Sequence, residues 1–199
     1  MTIRPTASLR NVTAFVLTCL ALTMNVRADS EKILYDFTTA TNSFAWQIVN
    51  DDVMGGVSTS HFQMPTNGAA TFSGVVSLEN NGGFASVRSS PVRHNLTGLD
   101  AFVMRVRGDG RRYKFTVRTE TAFDTPIYQS SFTTKRDVWE EHRLAFKDFI
   151  PTFRGRTLTD VPPLNPANVS SVGFLISDKQ DGAFQLEVAW IKASAGAKK

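Results

Sequence analysis

The chain has 199 residues, with 22 Lys and Arg against 18 Asp and Glu, a net charge of +4 and one cysteine. That length suits a single domain with a substantial core. A lone cysteine excludes an internal disulfide, and the basic excess sits almost wholly in the first residues, so no nucleic-acid footprint is expected.

In chain order, residues 1–28 read as a secretory signal peptide. Arg4 and Arg10 precede an apolar run from Val12 to Met24, and Val26-Arg27-Ala28 offers a cleavage site before Asp29. The run is too short to span a membrane, so the mature chain is expected to have no transmembrane segment. Its continuous hydrophobicity favours export, to the periplasm or outside the cell. The lack of acidic residues and the early arginines keep a mitochondrial presequence as the alternative. The segment carries three of the 22 basic residues and none of the 18 acidic ones, which leaves 19 against 18 in the mature part. Cys19 also falls in it, which removes thiol catalysis and zinc–thiolate sites.

Residues 29–193 read as one β-sandwich domain and 194–199 as a disordered tail. Strands are predicted over 33–37, 46–49, 58–63, 69–76, 85–88, 101–106, 114–119, 128–132, 140–145, 171–176 and 184–191, with turn residues between them. Alternation is clearest in Phe102-Val-Met-Arg-Val-Arg107, Phe115-Thr-Val-Arg118 and Phe184-Gln-Leu-Glu-Val-Ala-Trp190. Short strands in this number, with 15 Phe for the core and no helical period, predict an all-β, antiparallel jelly-roll sandwich. Phe149–Val169, with four prolines, is expected to be a long irregular loop.

Three polar, glycine-bearing clusters interrupt this pattern: Trp46-Gln-Ile-Val-Asn-Asp-Asp-Val-Met-Gly-Gly-Val-Ser58, Asn80-Asn-Gly-Gly-Phe84 and Arg105-Val-Arg-Gly-Asp-Gly-Arg-Arg-Tyr113. Such glycines supply positive φ or close backbone approach. Gly108-Asp-Gly110 does not open a helix within a βαβ unit, so it reads as a hairpin turn rather than a dinucleotide loop. Asp51 and Asp52 form a possible acid/base pair or, alternatively, cap the following turn. Counter-charge logic pairs them with Arg105, Arg107 or Arg111 and predicts that the three clusters converge. His61, His94 and His142 are scattered and match no metal-binding spacing. No cofactor is expected; the alternative is calcium, for which Asp51, Asp52, Asn80, Asn81, Asp178 and Asp181 are oxygen donors of the right hardness but without EF-hand spacing. Trp46, Tyr113, Tyr128 and Trp139 are candidate sugar platforms, or core.

These clusters, together with Phe72-Ser-Gly74, Trp139, Phe153-Arg-Gly155 and Gly173-Phe-Leu-Ile-Ser-Asp178, resemble the complex I intermediate-associated protein 30 family over Ile33 to Ile191. The resemblance implies a galactose-binding-domain-like jelly roll. It also implies an assembly factor, since mitochondrial members hold immature parts of NADH:ubiquinone oxidoreductase, and it brings no catalytic residues. The expected function is therefore non-catalytic: a binding protein that holds a protein partner in a chaperone-like role. A respiratory-complex subunit is the partner that the resemblance suggests. The candidate surface is Trp46, Asp51, Asp52, Met54, Gly55, Gly56, Asn81, Gly83, Phe84, Arg107, Asp109 and Arg154. The rival expectation is a carbohydrate-binding protein of the cell envelope; a third is an enzyme using Asp51 or Asp52.

Overall fold

The computed structural model describes residues 1, 30–39, 45–64, 68–122 and 124–196. Apart from Met1, the expected leader lies outside these residues, as do residues 197–199 of the expected tail. Strand follows strand, and the helical elements among the described residues are short 3-10 turns. The strands are β1 (Glu31–Asp36), β2 (Trp46–Ile48), β3 (Thr59–Gln63), β4 (Ala70–Val76), β5 (Ala85–Ser89), β6 (Ala101–Gly108), β7 (Arg112–Arg118), β8 (Ile127–Thr133), β9 (Trp139–Ala145), β10 (Ile150–Phe153), β11 (Arg156–Thr157), β12 (Ser171–Ile176) and β13 (Gly182–Ser194). One sheet has the order β3-β4-β13-β6-β9, with β1 also on β13; the other runs β11-β10-β8-β7-β12-β5-β2. The pairings are antiparallel, and the expected sandwich is what forms.

Alternation works as the sequence suggests. Phe102, Met104 and Val106 of β6 face Phe115 and Val117 of β7 and Phe174 and Ile176 of β12, all fully buried. Phenylalanine dominates the packing. The Phe102 ring lies 5.1 Å from Phe115 and 4.7 Å from Phe146, and Phe115 lies 5.4 Å from Phe174, in tilted or edge-on geometry.

Three features depart from expectation. In β13 the register with β6 shifts between Val188 and Trp190, so that Ala189 is an extra residue. This bulge reverses the phase: Phe184, Leu186 and Val188 point inward, but Ile191 and Ala193 take over the core face while Trp190 turns outward opposite Arg105. Second, the proline-rich stretch is not wholly irregular. β10 pairs with β8, and Pro151 is tolerated there because only the two residues of β11 continue the sheet beyond it. Third, β13 runs on to Ser194, and Gly196 N–H donates to Asp100 at 2.8 Å, so order extends past residue 193.

The registers bring five sheet-to-sheet connections to one end of the sandwich: β2 to β3, β4 to β5, β6 to β7, β8 to β9, and β12 to β13. All three polar clusters lie in these connections or in the strand ends beside them. Phe115→Ala is expected to remove about 3–5 kcal/mol of stability by opening a cavity between the sheets. A lowered denaturant midpoint at unchanged slope is the check.

Candidate functional site

The first cluster leaves β2, makes a 3-10 turn over Asp51–Met54 and enters β3 through Ser58. Asp51 points inward and is 1% exposed. Its carboxylate accepts from Ser58 N–H at 2.9 Å, Ser58 Oγ at 2.5 Å, Gly83 N–H at 2.7 Å and Phe84 N–H at 3.2 Å. The Ser58 hydroxyl in turn accepts from Ser77 N–H at 3.0 Å. One side chain thus ties the β2–β3 loop to the β4–β5 loop. A Cβ at Gly82 would stand 2.6 Å from an Asp51 oxygen, and one at Gly56 would collide with the same carboxyl group. These two glycines are therefore set by the carboxylate. Burial alone would raise the Asp51 pKa, but its four donors outweigh that and hold it below the ordinary value.

What this knot holds outward is apolar. Val53 is 63% exposed and Met54 70%, with Val57 and Leu78 also exposed and the polar Asp52, Glu79 and Asn81 around them. The sequence reading included Met54 but missed Val53, Val57 and Leu78. Their apolar character in a polar loop was the available signal.

The third cluster is organised separately. Asp109 accepts from Arg111 N–H at 3.1 Å, Tyr113 OH at 2.9 Å and Gln185 N–H at 3.0 Å. Arg111 reaches over to the Gln180 and Asp181 carbonyls of the β12–β13 loop at 2.7 and 3.0 Å. Asp178 in that loop accepts from Arg112 at 2.5 Å and Lys114 at 2.7 Å. Burial, followed by the Asp109 charge, pushes the Tyr113 phenol far up. Arg107 pairs with Glu187 and lies 5.2 Å from the Trp139 ring.

The expected counter-charge pairing is therefore corrected. Asp51 is satisfied by N–H and O–H donors, and the arginines of the third cluster take Asp109, Glu187 and loop carbonyls instead. The clusters share one end of the sandwich, the first two bonded directly and the third lying on the far side of the β12–β13 loop. Trp46 and Arg154 stand elsewhere. The Trp46 ring packs between the sheets, 5.2 Å from Tyr35 and 4.8 Å from Phe62, while exposed Arg154 caps the β10–β11 turn and reaches Asp124 at 3.1 Å. Tyr113 and Tyr128 are core residues rather than sugar platforms. Of the calcium candidates, Asp51 and Asp178 spend their oxygens on protein donors. Among the described residues no group of three or more His, Cys, Asp or Glu is arranged as a metal site.

Asp51→Asn would set an amide against N–H donors and is expected to cost about 2–4 kcal/mol. Because the native pKa of Asp51 lies below its unfolded value, its contribution is complete above about pH 4. It is lost as the pH falls through the native pKa. Unfolding free energy measured between pH 7 and pH 2 should therefore fall less steeply on the acid side for Asp51→Asn than for the wild type.

Residues 35–188 match the sequence profile of the family described as Complex I intermediate-associated protein 30. The mitochondrial protein of that name from Mus musculus is 27% identical over 183 residues, which cover 82% of this chain and 56% of the mouse protein. That of Drosophila melanogaster is 27% identical over 187 residues, 83% of this chain and 63% of its own length. The chain thus spans little more than half the length of these relatives. By structure it is similar to the family 11 carbohydrate-binding module of a Clostridium thermocellum cellulase, with a TM-score of 0.64 at 16% identity, covering 86% of this chain and 98% of the module. The agarase AgWH50C gives 0.59 at 10% identity, over 85% of this chain and 25% of the enzyme. At such identities these two likenesses concern the fold alone. The profile match covers more than half of the sequence, and the chain belongs to the complex I intermediate-associated protein 30 family.

Proposed function

We propose that this chain is a non-catalytic assembly factor that holds a protein partner during the building of respiratory complex I, with the apolar tip Val53, Met54, Val57 and Leu78 as its contact. The observation that carries this reading is the pairing of a buried carboxylate knot with an exposed apolar display. Exposed apolar side chains gathered at one corner mark interaction sites, and a pre-ordered loop loses little entropy on binding. Asp51 makes a poor general base here, since its lone pairs are taken and its pKa is low. The names of the relatives support both the assembly role and a mitochondrial location, with residues 1–28 as a presequence. They lend no support to the expected export.

The carbohydrate alternative rests on Trp139 and Trp190, which lie on the outer face of the first sheet. Cations already lie over both rings: Arg105 and Arg107 at 5.7 and 5.2 Å from Trp139, and Lys192 at 4.3 Å from Trp190. That arrangement competes with sugar stacking, which favours the protein partner.

Met54→Asp is expected to leave thermal stability within about 0.5 kcal/mol of the wild type and to weaken partner capture by at least about thirtyfold. The measurement is co-purification of complex I assembly intermediates with tagged full-length chain from its own cells. Capture at the wild-type level by a folded Met54→Asp variant would overturn the assignment of the tip. A second experiment concerns location: the tagged protein is expected in the mitochondrial fraction, with an N-terminus at or near Asp29. Recovery from the medium or periplasm would restore the export reading.

A further inference from the structure

We infer that the apolar tip takes a basic amphipathic segment of its partner, one that sets apolar side chains against Val53, Met54, Val57 and Leu78 and cations against the carboxylates of Asp52 and Glu79. The inference rests on the tip reading above and specifies which partner the tip selects.

The tip has two arms. One is the 3-10 turn Asp51–Met54 with Val57 beyond it; the other is the 3-10 turn Glu79–Asn81, entered through Leu78. The Asp51 carboxylate fixes their spacing, since it accepts from Ser58 at the end of the first arm and from Gly83 and Phe84 just past the second. Leu78 lies against bare backbone: a Cβ at Gly83 would stand 3.1 Å from Leu78 Cδ2. Each arm also carries a carboxylate next in sequence to an apolar residue, Asp52 before Val53 and Glu79 after Leu78, and all four residues are exposed. The apolar display is therefore flanked by acid on both arms.

The tip has no cation of its own. Residues 50–58 and 77–84 hold Asp51, Asp52 and Glu79 but no Lys, Arg or His. Across the β12–β13 loop the acids and bases satisfy one another, Arg107 with Glu187 and both Arg112 and Lys114 with Asp178. Arg111, which lies over Gly182 beside the end of β4, is held by the Gln180 and Asp181 carbonyls and stands 3.6 Å from Asp109. Among the described residues, Asp52 and Glu79 enter no ion pair. Asp51, kept ionised by its donors, adds a third negative charge beneath them. An apolar partner face with acidic flanks would bring like charges together here and be rejected, whereas Lys or Arg beside the same face would be drawn in. The apolar side chains supply contact and the carboxylates supply choice. That combination fits a segment with an apolar stripe and basic flanks, and it opposes an anionic lipid surface.

The test uses the full chain and a fluorescein-labelled amphipathic peptide of about 18 residues, leucine along one face and lysine elsewhere, followed by anisotropy. In the comparison peptide every lysine is replaced by glutamate. The lysine peptide is expected to bind and the glutamate peptide not. Asp52→Asn and Glu79→Gln are each expected to weaken binding about threefold and the double variant about tenfold, with a shallower salt dependence. Both side chains are exposed, so neither substitution threatens the fold. Asp160→Asn, which removes one acid from the β11–β12 connection, should have little effect. Met54→Ser removes apolar contact without changing charge and should weaken binding about tenfold at low and high salt alike. Equal affinity for the two peptides, unchanged affinity in the double variant, or equal weakening by Asp160→Asn would overturn the proposal. So would binding of phosphatidylcholine vesicles in preference to the lysine peptide, which would assign the tip to a lipid surface. Capture of complex I intermediates separates the two readings, and both Met54→Asp and the double variant are expected to lose it. Should Met54→Asp lose capture while the double variant keeps it, the tip stands and the basic segment falls. Should Met54→Asp keep capture, the tip falls and this inference with it.

Discussion

A carboxylate buried without a cation holds one loop end of the sandwich together. Taking Asp51 out of water costs several kcal/mol, and a lone buried charge would normally neutralise itself. Four donors converge on it instead, each hydrogen bond to the charge contributing about 1.5–3 kcal/mol before that cost is subtracted. Three of them are backbone N–H groups from two loops more than twenty residues apart. A neutral amide could not accept all of them, and an arginine in their place would leave the loop backbone unpaired. The choice of aspartate, the hydroxyl at Ser58 and the absence of side chains at Gly56 and Gly82 are therefore parts of one requirement.

That requirement divides the loop end into anchor and display. Inward-facing polar atoms satisfy one another, so the outward residues of the same thirteen-residue stretch need do no structural work. Val53 and Met54 can then remain exposed at little cost to the fold. On the other side of the β12–β13 loop, Asp109 does for the β6–β7 turn what Asp51 does for the first two clusters. Here the network includes cations, because Arg111 and Arg112 span to a loop whose carbonyls and Asp178 face them. Three acids find different solutions: Asp51 takes N–H and O–H donors with no cation, Asp109 takes two backbone N–H groups and the Tyr113 hydroxyl with the Arg111 guanidinium 3.6 Å away, and Asp178, nearer solvent, takes Arg112 and Lys114.

The sandwich was legible in the sequence because period-two alternation and regular turn spacing are local signals. Where it failed, the deciding factor was not local. Nothing in Phe184–Trp190 announces that Ala189 will be skipped, since the bulge exists only in relation to the residues of β6. Pro151 argued against a strand, and only the shortness of β11 beyond it makes the strand acceptable. The clusters were visible as anomalies of composition, and their shared location follows from strand direction. Their wiring was not visible: charge complementarity suggested Asp–Arg pairs, but the donors nearest to Asp51 in space are amides that every residue carries and no sequence pattern marks. Glu187 and Gln180 escaped notice for a related reason, as ordinary polar residues on strands or turns that acquire partners only in three dimensions.

The position of β13 carries a consequence for how the chain comes together. It lies between β4 and β6 and also carries β1, so the first sheet has no continuous centre until this late strand arrives. Before then β4 and β6 each present an unpaired edge, and residues near 31 wait for partners near 194. Such long-range closure is slow, and open edges recruit other strands. A chain emerging from a ribosome or a translocation pore would hold its other elements in readiness while this strand was still in transit. A protein of this architecture would thus itself pass through a partly assembled state that benefits from being held.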